Sequence, residues 1–330
     1  MVRRYLVTGG TGFIGAALVR RLVRDGHTVR ILDNQSRGAL RRIATVADDV
    51  ELVTGDVRDA ATVIRAAAGM DAVIHLAAVN GTEFFYSAPE LVLDVALRGI
   101  LAVVDACRAN RIGDLVVASS SEVYQTPPSV PTDESVPLSV PDVRNPRYSY
   151  GGGKIVSELV AMNYGRTGFD RVTVFRPHNV YGPDMGWEHV LPHFILRARE
   201  AVAKYPHGRV PFQIQGSGTQ TRAFIHIDDF VEGLMAVIDR GAHLGLYHIG
   251  TTDEQTIAEV AHEVLHCFGR EAEILPGPEP AGATPRRCPD ISRLQALGFA
   301  PKLTLADGLP EMVAWYRTHA DQRPGAPVSL

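Results

Sequence analysis

The 330-residue sequence lacks the features of several large classes of protein. It has three cysteines, too far apart for a paired metal-ligand motif, so we expect a reducing compartment without structural disulfides. Its apolar runs all fall short of about 18 residues and its N-terminus enters a strand-like run directly, so neither a membrane span nor a signal peptide is expected. These absences predict a cytoplasmic protein.

An excess of one charge is also missing. The chain has 33 Lys and Arg against 37 Asp and Glu, a net charge of −4, which favours neither nucleic acid nor an anionic membrane as a partner. Its histidines, among them His193, His226 and His248, have no spacing typical of a metal site. With 45% hydrophobic and 21% charged residues, the composition is that of a soluble globular protein with a large core.

Short β-rich runs alternate with helical patterns through the first 180 residues. The strand-like runs are residues 5–8, 28–33, 51–56, 72–78, 115–120 and 172–177. Most are apolar without strict alternation, as in strands buried on both faces of a parallel sheet. This order predicts an α/β fold with a Rossmann doubly wound parallel sheet at 1–180, followed by a smaller α/β C-terminal substrate lobe at 181–330 that exchanges some chain with it.

A glycine-rich turn stands between the first strand-like run and the first helical pattern. Gly10, Gly12 and Gly15 in "TGGTGFIG" have the spacing that allows a tight turn and brings a helix N-terminus to a pyrophosphate. Asp33 ends the second strand, where a carboxylate accepts from a ribose 2′-hydroxyl and repels a 2′-phosphate. The combination predicts NAD rather than NADP, with a turn-forming role for Asp33 as the alternative.

The predicted contacts with NAD lie at the carboxyl ends of the first four strands and in a later helix. They are Gly10, Thr11, Gly12, Phe13, Ile14, Gly15, Asp33, Asn34, Asp56, Val57, Leu76, Ala77, Ala78, Tyr150 and Lys154.

Tyr150 and Lys154 lie one helical turn apart, and Ser120 ends the fifth strand at the same edge of the sheet. A lysine ammonium and an oxidised nicotinamide ring would lower the pKa of Tyr150 from about 10 towards neutrality. The phenolate could then accept the proton of a sugar hydroxyl, with Ser120 orienting the same oxygen.

Three glycines, Gly151, Gly152 and Gly153, separate this tyrosine from the lysine. Each costs about 1 kcal/mol relative to alanine inside a helix. One interpretation is that the helix begins only after them. The other is that it begins earlier and that positions without a Cβ let it approach a neighbour closely.

These motifs together resemble those of the extended short-chain dehydrogenase/reductases that modify nucleotide sugars. The resemblance runs from "TGGTGFIG" to "PDISRLQALGF" and implies catalytic roles for Tyr150, Lys154 and Ser120. That family usually has Ala or Ser where this chain has its glycines. The resemblance therefore implies a helix that comes unusually close to cofactor, sheet or a dimer partner.

The resemblance also implies a nucleotide-diphosphate sugar as substrate. The residues that it places at this substrate are Ser121, Asn179, Gln213, Arg222 and Arg287. Arginine suits the diphosphate because its guanidinium group donates two parallel hydrogen bonds. Two apolar helices in the family pair across a twofold axis, so the resemblance further implies a homodimer.

The reaction depends on whether a second acid or base is present after oxidation at C4. Epimerisation needs none and is the first prediction. Glu122, two positions after Ser120, could instead serve a 4,6-dehydratase or a UDP-uronate decarboxylase, or it could be a structural carboxylate. A catalytically inactive, NAD-binding regulatory protein is a remote alternative.

Overall fold

The computed structural model describes residues 2–278 and 285–323, and within them seven parallel strands form a central sheet. The strands of the protein are β1 (Arg4–Thr8), β2 (Thr28–Asp33), β3 (Val50–Thr54), β4 (Ala72–His75), β5 (Asp114–Ala118), β6 (Arg171–Pro177), β7 (Val180–Tyr181), β8 (Val210–Ile214), β9 (Thr221–Ala223), β10 (Ile225–His226), β11 (Gly245–Ile249), β12 (Glu254–Thr256), β13 (Ala272–Pro276) and β14 (Arg286–Arg287). The central sheet has the order β11-β6-β5-β4-β1-β2-β3.

Helices cover both faces of this sheet. They are α1 (Phe13–Arg24), α2 (Ala60–Ala67), α3 (Thr82–Ser87), α4 (Pro89–Asn110), α5 (Ser149–Tyr164), α6 (Val190–Lys204), α7 (Ile227–Arg240), α8 (Ile257–His266), α9 (Ser292–Gln295) and α10 (Leu305–Thr318), with short 3-10 segments at Leu40–Asp49, Ser121–Val123, Pro146–Tyr148 and Ala320–Gln322. Apolar residues of α1 and α7 pack on one face, and those of α2, α4 and α5 on the other. Strands covered on both sides need continuous apolar runs, which explains the sequence pattern and confirms the predicted Rossmann-type fold.

The strand order reverses between β1 and β4, so the chain leaves these neighbouring strands in opposite directions. Thr8 and His75 lie side by side at their carboxyl ends. Ligands of such sheets bind in the crevice that opens at this point. The predicted runs 51–56, 72–78 and 115–120 extend too far, because β3, β4 and β5 end at residues 54, 75 and 118 where the backbone turns away to line the crevice.

A smaller group of strands and helices follows the sixth strand. Strands β8 and β13 pair with each other and pack with α6, α8 and α10 around a third apolar core, and β9 pairs separately with β12 and β14. In contrast, β11 returns to the central sheet and pairs with β6. The boundary at residue 180 stays a prediction. Among the described residues, no helix combines the length and apolarity that a membrane crossing requires.

The helix α5 begins at Ser149 and includes all three glycines, so a late helix start is wrong. A Cβ on Gly151 would lie 2.8 Å from the carbonyl oxygen of Glu122, and one on Gly153 would lie 2.9 Å from the Cβ of Ala96. Gly152 has room for a side chain. Close packing of α5 against α4 and against the segment after β5 therefore accounts for two of the three glycines.

Candidate active site

The glycines of this turn let α1 pack closely against the end of β1. A Cβ on Gly15 would lie 2.1 Å from the carbonyl oxygen of Gly9, and one on Gly10 would lie 2.8 Å from the side chain of Ile31. Gly12 is the N-cap residue of α1, and no side chain of the described residues caps that turn. The first turn of α1, with Phe13, Ile14 and Gly15, lines the larger cavity, and the N–H groups that a helix leaves unpaired in its first turn fit a pyrophosphate.

Asp33 ties the end of β2 to this turn. Its Oδ2 accepts from the backbone N–H of Thr11 at 2.9 Å, and its Oδ1 accepts from the N–H of Gln35 at 2.7 Å. The carboxylate also lines a cavity of about 120 Å³. Asp33 therefore forms a turn and at the same time lines the smaller cavity, as its predicted role at the ribose requires.

Eight of the predicted cofactor residues meet at this smaller cavity. Its lining includes Gly12, Asp33, Asn34, Asp56, Val57, Leu76, Ala77 and Ala78. Asp56 also pairs with Arg58, whose hydrogen bond holds the pKa of that carboxyl at about 2. The acidic group is therefore ionised and already held in place.

A larger cavity of about 420 Å³ continues from the glycine turn to the predicted catalytic residues. Its lining includes Gly12, Phe13, Ile14, Gly15, Leu76, Ala78, Ser120, Ser121, Glu122, Tyr150, Lys154, Asn179 and Arg287. The helix α5 and the segment after β5 bring the predicted catalytic residues together at the sheet edge. One continuous crevice thus joins the predicted cofactor residues to the predicted substrate residues.

Tyr150 and Ser120 are both buried and line the same cavity. The Nζ of Lys154 donates to the carbonyl oxygen of Ala118 at 2.7 Å and lies 5.8 Å from the centroid of the Tyr150 ring. This bond anchors the lysine to the end of β5. The three side chains thus lie together at one end of the larger cavity.

The expected lowering of the tyrosine pKa is not a property of the protein alone. Burial raises the pKa of Tyr150 to about 12, against the opposing hydrogen bond from Ser120. Burial also lowers the pKa of Lys154 to about 8. The lysine therefore does not supply the predicted shift by itself, and desolvation is the larger effect on both groups.

Glu122 forms an ion pair with Arg287. The Nη2 of Arg147 lies 3.9 Å from the other carboxylate oxygen. Burial alone would raise the pKa of Glu122, but the guanidinium groups of Arg287 and Arg147 outweigh it and hold that pKa below its ordinary value. Glu122 is therefore ionised. Arg287, a predicted phosphate ligand, contacts it at the end of the crevice where Tyr150 lies.

The other predicted substrate residues lie around this pair to different extents. Arg222 on β9 is the strand neighbour of Arg287, and burial lowers the pKa of Arg222 to about 10. Asn179 lines the larger cavity and donates to the carbonyl oxygen of Ala223 at 3.1 Å. Gln213 lies on β8, outside the lining of both cavities, and its carbonyl oxygen accepts from Arg197.

Several residues at the crevice were not predicted from the sequence. Phe85 and Arg37 line the larger cavity, and Arg147 reaches Glu122 from the segment just before α5. Arg147 lies three residues before Tyr150, so the sequence could have indicated it as a neighbour of the predicted catalytic residues. Phe85 lies in the short helix α3 after β4, and Arg37 lies in the loop after β2. No periodic sequence pattern indicates either residue.

The comparison with protein families identifies the class to which this fold and crevice belong. The model of the NAD dependent epimerase/dehydratase family matches residues 5–250. The chain therefore belongs to the NAD-dependent epimerase/dehydratase family. The glycine turn and Asp33 fit that family's cofactor, NAD.

Relatives of the chain catalyse more than one reaction. A UDP-N-acetyl-alpha-D-glucosaminuronate decarboxylase of Bacillus cytotoxicus is 29% identical, over 96% of this chain and 98% of the relative. The structure of a dTDP-glucose 4,6-dehydratase from Streptomyces venezuelae with NAD bound has a TM-score of 0.85 at 29% identity, covering 99% of this chain and all of that one. A UDP-glucose 4-epimerase of Thermus thermophilus in complex with NAD has a TM-score of 0.81 at 27% identity, covering 98% and 100%. These relatives include a decarboxylase, a dehydratase and an epimerase, so they share the family but not the reaction.

Proposed function

We propose that the protein oxidises C4 of a nucleotide-diphosphate sugar transiently and catalyses epimerisation at that carbon. Bound NAD would accept and return the hydride. Tyr150 would accept the proton of the C4 hydroxyl, and Ser120 would orient the same oxygen. Lys154 would hold positive charge next to the phenol while it is anchored to Ala118.

The observation that carries this proposal is the ion pair between Glu122 and Arg287. Dehydration needs a base that removes a proton next to the new carbonyl. A carboxylate that arginines hold in its ionised form is a weak base, because taking up a proton would break its ion pair. Epimerisation needs no second base, so the charges around Glu122 favour it over dehydration.

Uronate decarboxylation is the second candidate, and the same cluster supports it. The guanidinium group of Arg287 lies in the cavity that contains Tyr150, and Arg147 lies near the carboxylate that Arg287 contacts. Such a pair of arginines could bind the carboxylate of a uronic acid. The decarboxylase among the relatives supports this possibility.

Product analysis distinguishes these reactions. NAD-loaded protein is incubated with UDP-glucose, dTDP-glucose and UDP-glucuronate, and each product is characterised by mass spectrometry and by the configuration at C4. We expect an unchanged mass and an inverted C4. Loss of water would assign dehydration instead, and loss of carbon dioxide from UDP-glucuronate would assign decarboxylation. Bound NAD without turnover of any substrate would favour a regulatory protein.

Replacing Glu122 tests the same point independently. In an epimerase, Glu122→Gln should leave kcat within about 5-fold of the natural enzyme, because no step needs that carboxylate as a base. A drop of about 10²-fold or more would show that Glu122 transfers a proton. Tyr150→Phe, measured alongside, supplies the inactive reference.

A further inference from the structure

The ring of Phe85 stacks on the ring of Tyr150. The two centroids lie 5.1 Å apart, and the ring planes differ by 12°. This separation is that of an offset stacked pair. Phe85 comes from α3, a short helix between β4 and α4, and is 5% exposed. An element outside the catalytic helix therefore holds one face of the catalytic ring.

The apolar side chains around the tyrosine come from other elements of the fold. On its own helix, Gly151 and Gly153 have no side chains to pack against it, and Lys154 places its Nζ 5.8 Å from the ring centroid. Phe85, Val92 and Tyr150 form a small apolar cluster against which Ala78, Val79 and Phe84 pack, and Ser120 lines the same cavity as Tyr150. The glycines let α5 pack closely, and the plane of the ring must then be set by its neighbours.

We propose that Phe85 is a positioning residue whose ring fixes the plane of Tyr150 and so keeps the phenol oxygen beside Ser120. This inference rests on the proposed role of Tyr150 as proton acceptor. Displacing a reacting group by about 1 Å can cost 10²-fold in rate, so even a partial loss of the stack is measurable. Phe85 therefore affects the reaction rate through its contact with the Tyr150 ring and not through a contact with the substrate.

The natural enzyme is compared with Phe85→Leu, which keeps apolar bulk and removes the planar ring, and with Phe85→Tyr, which keeps the ring. Phe85 lines the larger cavity, which is the space towards which the added hydroxyl could turn. Val92→Ala in the same cluster is the control for general loosening. Formation of reduced nicotinamide is followed in a single turnover of NAD-loaded protein with UDP-glucose, dTDP-glucose and UDP-glucuronate.

We expect Phe85→Leu to lower the rate of hydride transfer about 10-fold with KM changed less than about 2-fold. Phe85→Tyr should have nearly the rate of the natural enzyme, and Val92→Ala should change that rate little. The charged groups at Tyr150 are Glu122 and Lys154, and neither is altered. Because Phe85→Leu admits water to the ring, the rising limb of the pH–rate profile should also move to lower pH.

A rise in KM without loss of hydride-transfer rate would overturn the inference, since Phe85 would then contact the sugar. Equal losses in Phe85→Leu and Val92→Ala, or no rescue by Phe85→Tyr, would also overturn it. If Phe85→Leu does not fold, Phe85→Met takes its place, and failure of both to fold would assign the ring to stability alone. A fully active Tyr150→Phe would reject the proposed function itself, whereas an inactive Tyr150→Phe with a normal Phe85→Leu would reject only the role of Phe85.

Discussion

The two ends of the crevice are built in different ways. At the dinucleotide end, the glycine turn and Asp33 come from one βαβ unit, and the hydrogen bond from Thr11 to Asp33 spans 22 residues of sequence. At the substrate end, the ion pair between Glu122 and Arg287 joins residues 165 positions apart. The first end consists largely of backbone groups set by local turns, and the second consists of side-chain charges carried there by separate segments.

This difference predicts that substitutions at the two ends change different measurable quantities. A change at the dinucleotide end should alter the choice and affinity of the cofactor. A change at the substrate end should alter KM for the nucleotide sugar and leave the cofactor affinity intact. A substitution of Tyr150, which lies where the two ends meet, should change neither affinity. It should instead slow the chemical step.

The largest effect is expected at this junction. Tyr150→Phe removes one oxygen and keeps the ring that stacks on Phe85, so turnover should fall about 10²–10⁴-fold with the melting temperature nearly unchanged. Steady-state kinetics, NAD titration and thermal melting measure the three quantities. Lys154→Met should lower turnover and also weaken NAD binding. Near-normal turnover of Tyr150→Phe would discard the mechanism.

A smaller effect is expected at the dinucleotide end. Asp33→Asn keeps an oxygen that can accept from the N–H groups of Thr11 or Gln35, and it removes the negative charge that repels a 2′-phosphate. The preference for NAD over NADP should narrow about 10-fold, which corresponds to ~1.4 kcal/mol. Titration with both dinucleotides measures it. An unchanged preference would show that the charge of Asp33 does not select the cofactor.

At the substrate end, Arg287→Met should raise KM for the nucleotide sugar about 5-fold, because it removes a guanidinium group from the catalytic cavity. The affinity for NAD should not change. Arg286→Met is the matched control, since Arg286 lies next to it on β14 but pairs with Glu254 at an exposed position. Equal effects of the two substitutions, or a loss of NAD affinity in Arg287→Met, would contradict the separation of the two ends.

The smallest effect on the site is expected from the outer face of α4 and α5. The helices at 90–110 and 150–165 carry more apolar side chains than one buried stripe requires, namely Leu91, Leu93, Val95, Leu97, Ile155, Leu159, Val160 and Met162. Val95 is buried within the subunit, whereas Leu159 is 57% exposed. We propose that the exposed members form a homodimer interface.

Leu159→Asp should therefore shift a dimer towards monomer in light scattering and change single-turnover rates less than about 2-fold. Leu40→Asp, at a similarly exposed leucine outside this face, should leave the assembly unchanged. A natural protein that is monomeric at micromolar concentration would contradict the dimer.

The sequence predicted those parts of the molecule that depend on short stretches of chain. The buried strands, the glycine turn and the spacing of Tyr150 and Lys154 follow from periodicity and local steric rules, and all of them lie as predicted to within a few residues. The stack of Phe85 on Tyr150 and the ion pair of Arg287 with Glu122 depend on tertiary packing. No local pattern encodes which remote side chain will fill such a position, so both were found only in the structure.

Because β11 returns to the central sheet, the sheet is incomplete in a partly synthesised chain and in any fragment that ends before β11. Until β11 leaves the ribosome, β6 is the last strand of the sheet, and its outer row of N–H and C=O groups has no partner there. Unpaired edges of this kind recruit other strands and promote aggregation. A fragment that stops near residue 180 should therefore be poorly soluble, and a nascent chain should stay protease-sensitive until about residue 249 has emerged.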